Sequence, residues 1–464
     1  MHNLLVSLII LRYNRNIHSL ERGVLLHMKL SKQQLKDMAV KAIDENRSKI
    51  IALGDSIFEE PELGYKEFKT AEKVKSVFEE LGVAYRDKVA VTGVIASLKG
   101  AQSKAKVAVM GELDAVVSPT HRCADPITGA AHACGHNCMI AALVGVTYAL
   151  ANTETMKHLD GDVELMAVPA EEYVEIEYRK QLMDEGKIRF IGGKQEFVYL
   201  GELDDVDMVI MEHNDSGRAE GKIACAGYTS NGFVGKLIRY IGKAAHAGGS
   251  PHLGINALNA ANIGLTAVSY QRETFQDKDS VRVHPIITKG GDLVNVVPDD
   301  VRIETYIRGS NIDAILDAEF KVDRAFKAGG DAVGATCEIQ TFPGYLPLIP
   351  CEPLMDLFYA NLVELLGEDN VTYTAGPMTG STDAGDLSYI MPMLHGGISG
   401  MSGALHSNVV EIVDKDLAYI ASAKSLALTV IDLLYDGAEA ALDVKASFKP
   451  SMTKDAYLKD WGKI

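Results

Sequence analysis

From Lys29 onward the chain alternates between helical and extended patterns of apolar positions. Ser31 and Gln34 form the Ser-x-x-Gln capping box that opens a helix. An amphipathic stretch follows to about Phe58, and Pro61 ends it. Lys66–Leu81 repeats the helical pattern, with Gly82 where a C′ glycine belongs. The period then changes. Lys106–Met110, Asp162–Val168 and Asp207–Met211 are short apolar runs, the signature of strands buried on both faces. Cys138–Ala151 reads as a helix between them. Strands separated by helices predict an α/β fold with a mixed, mostly parallel sheet. Gly227–Thr341 has a different order. Phe233–Ile241, Val281–Lys289, Val301–Ile307 and Ala335–Thr341 read as strands, and Gly254–Gln271 and Ile312–Lys327 as helices. That β-α-β-β-α-β succession predicts an inserted α+β, ferredoxin-like unit. Helix–strand alternation then resumes and ends in a long apolar helix, Asp414–Tyr435. The expected organisation is an extension over 1–27, an α/β unit split into 28–226 and 342–440 around the insert at 227–341, and a surface tail over 441–464.

Composition narrows the classes. Apolar residues are 47% and charged residues 23%, a globular mix. The net charge of −17 argues against a general nucleic-acid or anionic-membrane binder. The six cysteines (Cys123, Cys134, Cys138, Cys225, Cys337, Cys351) do not make a disulfide scaffold and point to a reducing, cytoplasmic setting. No apolar run approaches the roughly 20 residues that span a bilayer. Leu4–Leu11 reads either as a signal-peptide core or as part of an upstream extension. Only His2 precedes it as a possible positive charge and no small-x-small site follows, so the extension is preferred, with Met28 as a natural start.

The chemistry gathers after the strands. The first runs into Gly111-Glu112-Leu113-Asp114, the second into Pro169-Ala170-Glu171-Glu172, the third into Glu212-His213. In open α/β sheets ligands bind beyond the carboxyl ends of the strands. One acidic residue there is ordinarily a solvated loop residue; three strand ends with metal-capable side chains are not so easily dismissed. His132-Ala133-Cys134-Gly135-His136 joins sulfur to imidazole, a donor set for zinc, manganese or cobalt. A zinc finger would want a second Cys or His pair nearby, which is absent. Adjacent Glu171 and Glu172 point in different directions on a loop. One can bind metal while the other faces a water whose pKa the metal lowers. A dinucleotide enzyme is rejected, because no G-x-G-x-x-G follows the first strand.

GELDAV, HACGHN, PAEE, the histidine after DMVIME, KAAHAGGSPH, GGDLVNVVPD, GSTDAGDLS and GALHS occur in the order found in the M20 family of metallopeptidases and amidohydrolases. The chain resembles subfamily D, the Cys-Gly-His branch, and within it the aminobenzoyl-glutamate utilisation protein B type, over roughly Lys29 to Leu434. The resemblance implies a dinuclear-metal catalytic domain with an inserted lid that dimerises. It implies two divalent ions per subunit, Mn2+ or Zn2+ foremost and Co2+ as a further option. Cys134, His136, Glu172, His213 and His406 match the metal ligands, Glu171 the general base and acid, and Asp114 the aspartate that supports the ligand cluster. His246 matches the lid histidine that a partner subunit often supplies to hold the oxyanion. Asn295 matches a residue that holds substrate, and Arg308 is a candidate clamp for a carboxylate.

Some positions depart from the pattern. Glu112 stands where other branches of the family place a metal histidine. Asn137 replaces an acidic residue, which weakens the expected support of His136. The His121–Thr128 loop is longer than usual and is expected to border the pocket. Tyr173–Lys180 is bulky and charged where relatives carry glycine. The implied activity is metal-dependent hydrolysis of an amide with a free carboxylate: an N-acyl or N-aroyl amino acid such as aminobenzoyl-glutamate, or a dipeptide. The implied assembly is a homodimer or higher homo-oligomer. The alternative is a non-catalytic small-molecule-binding protein on the same fold.

Overall fold

The computed structural model describes residues 30–151, 154–217 and 221–461. The extension over 1–27 and the Leu4–Leu11 run lie outside them. Ser31 caps the helix Lys32–Glu45 and completes its capping box with Gln34. The amphipathic stretch to Phe58 is two helices rather than one, Lys32–Glu45 and Arg47–Glu59, broken at Asn46. Asn46 turns its amide back onto the Ala42 carbonyl, competing with the helical ladder.

The main sheet has eight strands. In spatial order they are Tyr85–Val89, Gly93–Leu98, Asp162–Val168, Lys106–Glu112, Met208–Asn214, Met393–Ile398, Ala224–Ser230 and Val371–Met378. The four central strands from Asp162–Val168 to Met393–Ile398 run parallel. They are buried on both faces, which is why they read as unbroken apolar runs. The wholly buried helix His136–Ala151 covers one face together with Arg47–Glu59 and Ser422–Leu434. The long apolar helix at the end opens with a π-helical turn, Asp416–Ala421, before Ser422–Leu434. Asp416–Leu434 is long and apolar enough to cross a membrane, but 83% of its apolar window is buried in the core. It is a core helix.

A second, antiparallel sheet is built from residues 232–343. Arg282–Val283, Asp300–Gly309, Gly232–Ile241 and Thr336–Pro343 are neighbours in that order, and Ile286–Lys289 also pairs with Asp300–Gly309. The expected strand Val281–Lys289 is thus two short pieces. The helices Ala257–Gln271 and Ile312–Val333 pack together against this sheet. With the two pieces counted as one strand, the order is that of a ferredoxin-like sandwich.

The surface tail expected at the C-terminus is corrected. Residues 439–461 form the helices Glu439–Ser447 and Lys454–Asp460, and Tyr457 and Trp461 are buried. The Tyr457 hydroxyl donates to Asp386 at 2.9 Å and the Trp461 indole N–H donates to the Gly344 carbonyl at 3.1 Å. The four lysines of the segment mask two aromatic anchors. Trp461→Ala should therefore lower the unfolding free energy by about 3–5 kcal/mol, as for a core aromatic. Exposed Lys459→Ala should change it by about 0.5 kcal/mol or less. Denaturant melts of the two variants against wild type test this, and equal stability would restore the tail.

Candidate metal and catalytic site

Parallel register brings the strand ends together. Glu112 lies opposite Val168, and Val109 opposite Ile210. The chain therefore delivers Glu112 and Asp114, then Glu171 and Glu172, then His213 to one edge of the sheet, as their positions after the apolar runs predict.

The Glu171–Glu172 turn is fixed by its backbone. Ala170 has φ 54°, a conformation unusual for a residue with a side chain. Its N–H donates to the buried Glu67 carboxyl at 2.8 Å. The Asp114 carboxylate accepts the N–H groups of Glu171 at 3.1 Å and Glu172 at 2.9 Å. Asp114 thus supports the cluster by holding the acidic pair. At Gly193 a Cβ would lie 1.7 Å from the Pro169 carbonyl oxygen, so only glycine allows that approach.

Cys134 and His136 are turned inward by Gly135, which has φ 94°. Cys134 Sγ lies 3.4 Å from His213 Nε2 and 3.3 Å from His406 Nε2. His406 Nε2 is in turn 3.2 Å from Glu172 Oε1. His136 Nδ1 is 2.9 Å from the Asp114 carbonyl oxygen. A carbonyl can only accept, so Nδ1 carries a proton, and in the neutral ring Nε2 presents its lone pair to the site. Donor atoms of Cys134, His136 and His213 lie within 4.8 Å of one another, and so do those of Cys134, Glu172 and His406. Two ligand groups share one sulfur.

The donor chemistry fits divalent cations. Glu112, Asp114, Glu171, Glu172 and Asp383 are all buried here, and the buried ammonium of Lys194 pairs with only two of them, Glu112 and Asp383. Such an excess of buried charge is costly unless cations offset it. The buried atoms Glu112 Oε2, His136 Nε2 and Glu172 Oε1 also lack hydrogen-bond partners. Burial and Glu172 push the Cys134 thiol up, but His213, His136 and His406 outweigh them and bring it down to about 6. Burial opposes ionisation of Glu172 as well, but His406 and His136 hold it down at about 2. Glu171 goes the other way: burial, then Glu112 and Glu172, push it well above the ordinary carboxylate range. Two adjacent glutamates are thus driven apart, the pattern of a ligand beside a proton carrier.

A cavity of about 650 Å³ opens over these residues. Cys134, Glu171, Glu172, His213 and His406 line one part of it, and Tyr173, Phe233, Tyr306, Tyr345 and Arg308 another. The Arg308 guanidinium lies 5.1 Å from the Phe233 ring centroid and 5.4 Å from that of Tyr306, and donates to the Ser381 hydroxyl at 2.6 Å. His246 and Asn295 are exposed and do not line this cavity. They neighbour each other through Ala247 N–H, which donates to the Asn295 carbonyl at 2.9 Å.

Two further expectations are corrected. The His121–Thr128 loop does not line the cavity. His121 Nε2 bonds the Val410 carbonyl at 2.9 Å and Arg122 pairs with Glu411, so the loop braces the segment that carries His406. Asn137 does not face His136. Its amide donates to the Gly54 carbonyl and the Tyr419 hydroxyl, inside the core, and the support of His136 comes from Asp114 instead. Sequence reasoning left Lys194 out of the site, although it sits wholly buried against Glu112 and Asp383. It also left out the cavity-lining pair of Tyr228 and His395, 2.7 Å apart. Asp383 lies within GSTDAGDLS, a usable signal; nothing local marks Lys194, which is 82 residues from Glu112.

Cys134, His136 and Glu172 are buried while His213 is half-buried and His406 exposed, so this sulfur–imidazole–carboxylate cluster opens to the cavity at the carboxyl edge of a mostly parallel sheet, the architecture of a metallohydrolase. Residues 108–431 match the family model for peptidase family M20/M25/M40, and the chain belongs to that family of amide-bond hydrolases. It is 28% identical over 453 residues to the Xaa-Arg dipeptidase of Mus musculus, covering 91% of this chain and 94% of the relative. Among solved structures it resembles a dinuclear metal binding peptidase of family M20 from Bacillus subtilis. There the TM-score is 0.59 at 20% identity, over 84% of this chain and 99% of that one. It also resembles an aminobenzoyl-glutamate utilization protein from Klebsiella pneumoniae, with a TM-score of 0.62 at 17% identity, over 84% and 97% of the two chains.

Cations that bind only the folded cluster must stabilise it, by about 2.7 kcal/mol at a free concentration one hundred times Kd. Chelator-treated protein should melt at a lower temperature, and titrated Mn2+ or Zn2+ should restore the melting point in a concentration-dependent way. Melting curves indifferent to both treatments would contradict the cluster's assignment.

Proposed function

We propose that the protein is a metal-dependent amidohydrolase acting on a small amide whose other half carries a free carboxylate. The substrate class is an N-acyl or N-aroyl amino acid, such as an aminobenzoyl-glutamate, or a dipeptide. The observation that carries this reading is the division of labour between neighbours: Glu172 faces the Cys134–His406 group, while buried Glu171 stands beside it with its proton affinity raised by burial and by Glu112 and Glu172, as suits a base. Cys134, His136, Glu172, His213 and His406 would hold two divalent ions, Mn2+ or Zn2+ foremost. Such a pair, when bound, polarises the amide carbonyl and lowers the pKa of water at the site.

Glu171 takes the proton of the attacking water and returns it to the leaving amine. Arg308, stacked on Phe233 and Tyr306 across the same cavity, receives the substrate carboxylate by a forked hydrogen bond. His246 holds the oxyanion from the partner of a homodimer joined through the 227–341 segment, and Asn295 beside it helps hold the substrate. The reduced cysteines favour a cytoplasmic location.

Glu171→Gln should lower kcat by about 10²–10⁴-fold or more while metal content stays at the wild-type level. Amide hydrolysis over a panel of aminobenzoyl-glutamate, N-acyl amino acids and dipeptides, with metal analysis in parallel, reads both. Undiminished turnover in the variant would sink the mechanism. Arg308→Ala should raise KM for substrates with a free carboxylate and leave their carboxamide analogues nearly unchanged. Mixing inactive Glu171→Gln with inactive His246→Ala subunits should restore activity. Inactive hybrids, once shown to form, would place His246 outside the partner's site.

A further inference from the structure

Glu112 stands outside the ligand set above, yet its carboxylate is held as though aimed at an ion. It is 1% exposed at the end of its strand. One oxygen, Oε1, is bound by the Lys194 ammonium, and the same ammonium is bound by Asp383. The Lys194 backbone N–H also donates to Asp383 Oδ2 at 2.9 Å, so one carboxylate grips the lysine at both ends. This leaves Oε2 to point into the site, where it stops 3.0 Å from His136 Nε2.

Neither atom of this pair meets a hydrogen-bond partner in good geometry, and both are buried. With its Nδ1 proton given to the Asp114 carbonyl, a neutral His136 ring turns the lone pair of Nε2 toward Oε2. An ionised Glu112 and the Nε2 lone pair at that distance need a positive charge between them, either a proton on Nε2 or a metal ion shared by both. The spacing suits such an ion. Ligand atoms about 2.1 Å from a common ion and at right angles to each other are about 3.0 Å apart. The Oε2 atom, His136 and Glu171 also form a close group of donors.

We propose that Glu112 is a ligand of the ion bound through His136 Nε2, and that Lys194 and Asp383 are positioning residues that present a single oxygen of it. This rests on the metalloenzyme reading above. An added carboxylate makes a site of thiolate and imidazole harder, which favours manganese relative to zinc. Lys194 turns the carboxylate without competing for the ion, because an ammonium offers only donors.

The test measures ion binding rather than turnover. Wild type, Glu112→Gln and the paired Glu112→Gln/Lys194→Met variant are equilibrated with chelator-buffered Mn2+ and with Zn2+, and bound ions are counted per chain. The paired variant removes acid and cation together, so a loss cannot be laid to an unpaired buried ammonium. About two ions are expected in wild type. In both variants the affinity for one of them should fall by at least about 10-fold, more for Mn2+ than for Zn2+. Lys194→Met alone should alter the visible spectrum of bound Co2+; a purely structural lysine would lower the melting point of the metal-free protein and leave that spectrum as in wild type. Two ions bound with wild-type affinity by both Glu112 variants would overturn the proposal. Wild type that binds no ion would overturn the metalloenzyme reading itself, a result distinguishable from the first.

Discussion

The organising constraint of this molecule is a concentration of buried acids at the edge of its parallel strands. Glu112, Asp114, Glu171, Glu172 and Asp383 are all nearly sealed from water. Such a set is tolerable only if each carboxyl has a donor, a proton or a cation to face. Each solution is visible. Asp114 spends its oxygens on two backbone N–H groups, Asp383 takes Lys194, Glu171 favours its proton, and Glu172 faces a histidine and a thiol. The rest of the fold keeps these arrangements from relaxing.

That holding reaches far from the site. The Pro169–Glu172 turn keeps its strained Ala170 because Glu67, from the loop before the Phe68–Glu80 helix, accepts its N–H, and because Gly193 leaves room beneath Pro169. His406 also adopts a left-handed backbone, φ 64°, on a segment braced by His121 and Arg122. Tyr457, near the end of the chain, donates to Asp386, which also accepts from Gln195, next to Lys194. Backbone strain of this kind persists where surrounding contacts over-determine it, and it clusters at functional sites.

Much of this was legible in the sequence, and the reason is local. Buried parallel strands are continuous apolar runs, so their ends can be read, and Glu112, Glu171 and His213 follow from counting beyond them. Cys134 and His136 declare themselves by residue type and spacing. The illegible parts depend on contacts between distant segments. The partnership of Lys194 with Glu112 spans 82 residues, and the register of His121 against Val410 spans 289. The C-terminal helices misled for a different reason: their lysines dominate the composition, while two aromatic residues decide the docking. The break at Asn46 was hidden because both helices keep one amphipathic phase.

The cavity has two chemical ends, and their contrast constrains what can be bound. Toward the sheet edge it offers sulfur, imidazole and carboxylates, where cations and a polarised carbonyl belong. Elsewhere it is walled by Tyr173, Phe233, Tyr306 and Tyr345, which make edge-to-face contacts, with Arg308 beside Phe233 and Tyr306. The hydrogen bond of Arg308 goes to a neutral hydroxyl, Ser381, and the Phe233 and Tyr306 rings lie against one side of the guanidinium. A guanidinium stacked in this way keeps its charge while losing water, and its remaining donors favour an anion with two oxygens. Tyr173 contributes to this wall from the segment directly after Glu172. Its hydroxyl donates to the Pro343 carbonyl at 3.1 Å, which fixes the orientation of this ring. The aromatic wall and the Arg308 cation therefore share one cavity with the acidic pair, and Tyr173 joins the two along the chain.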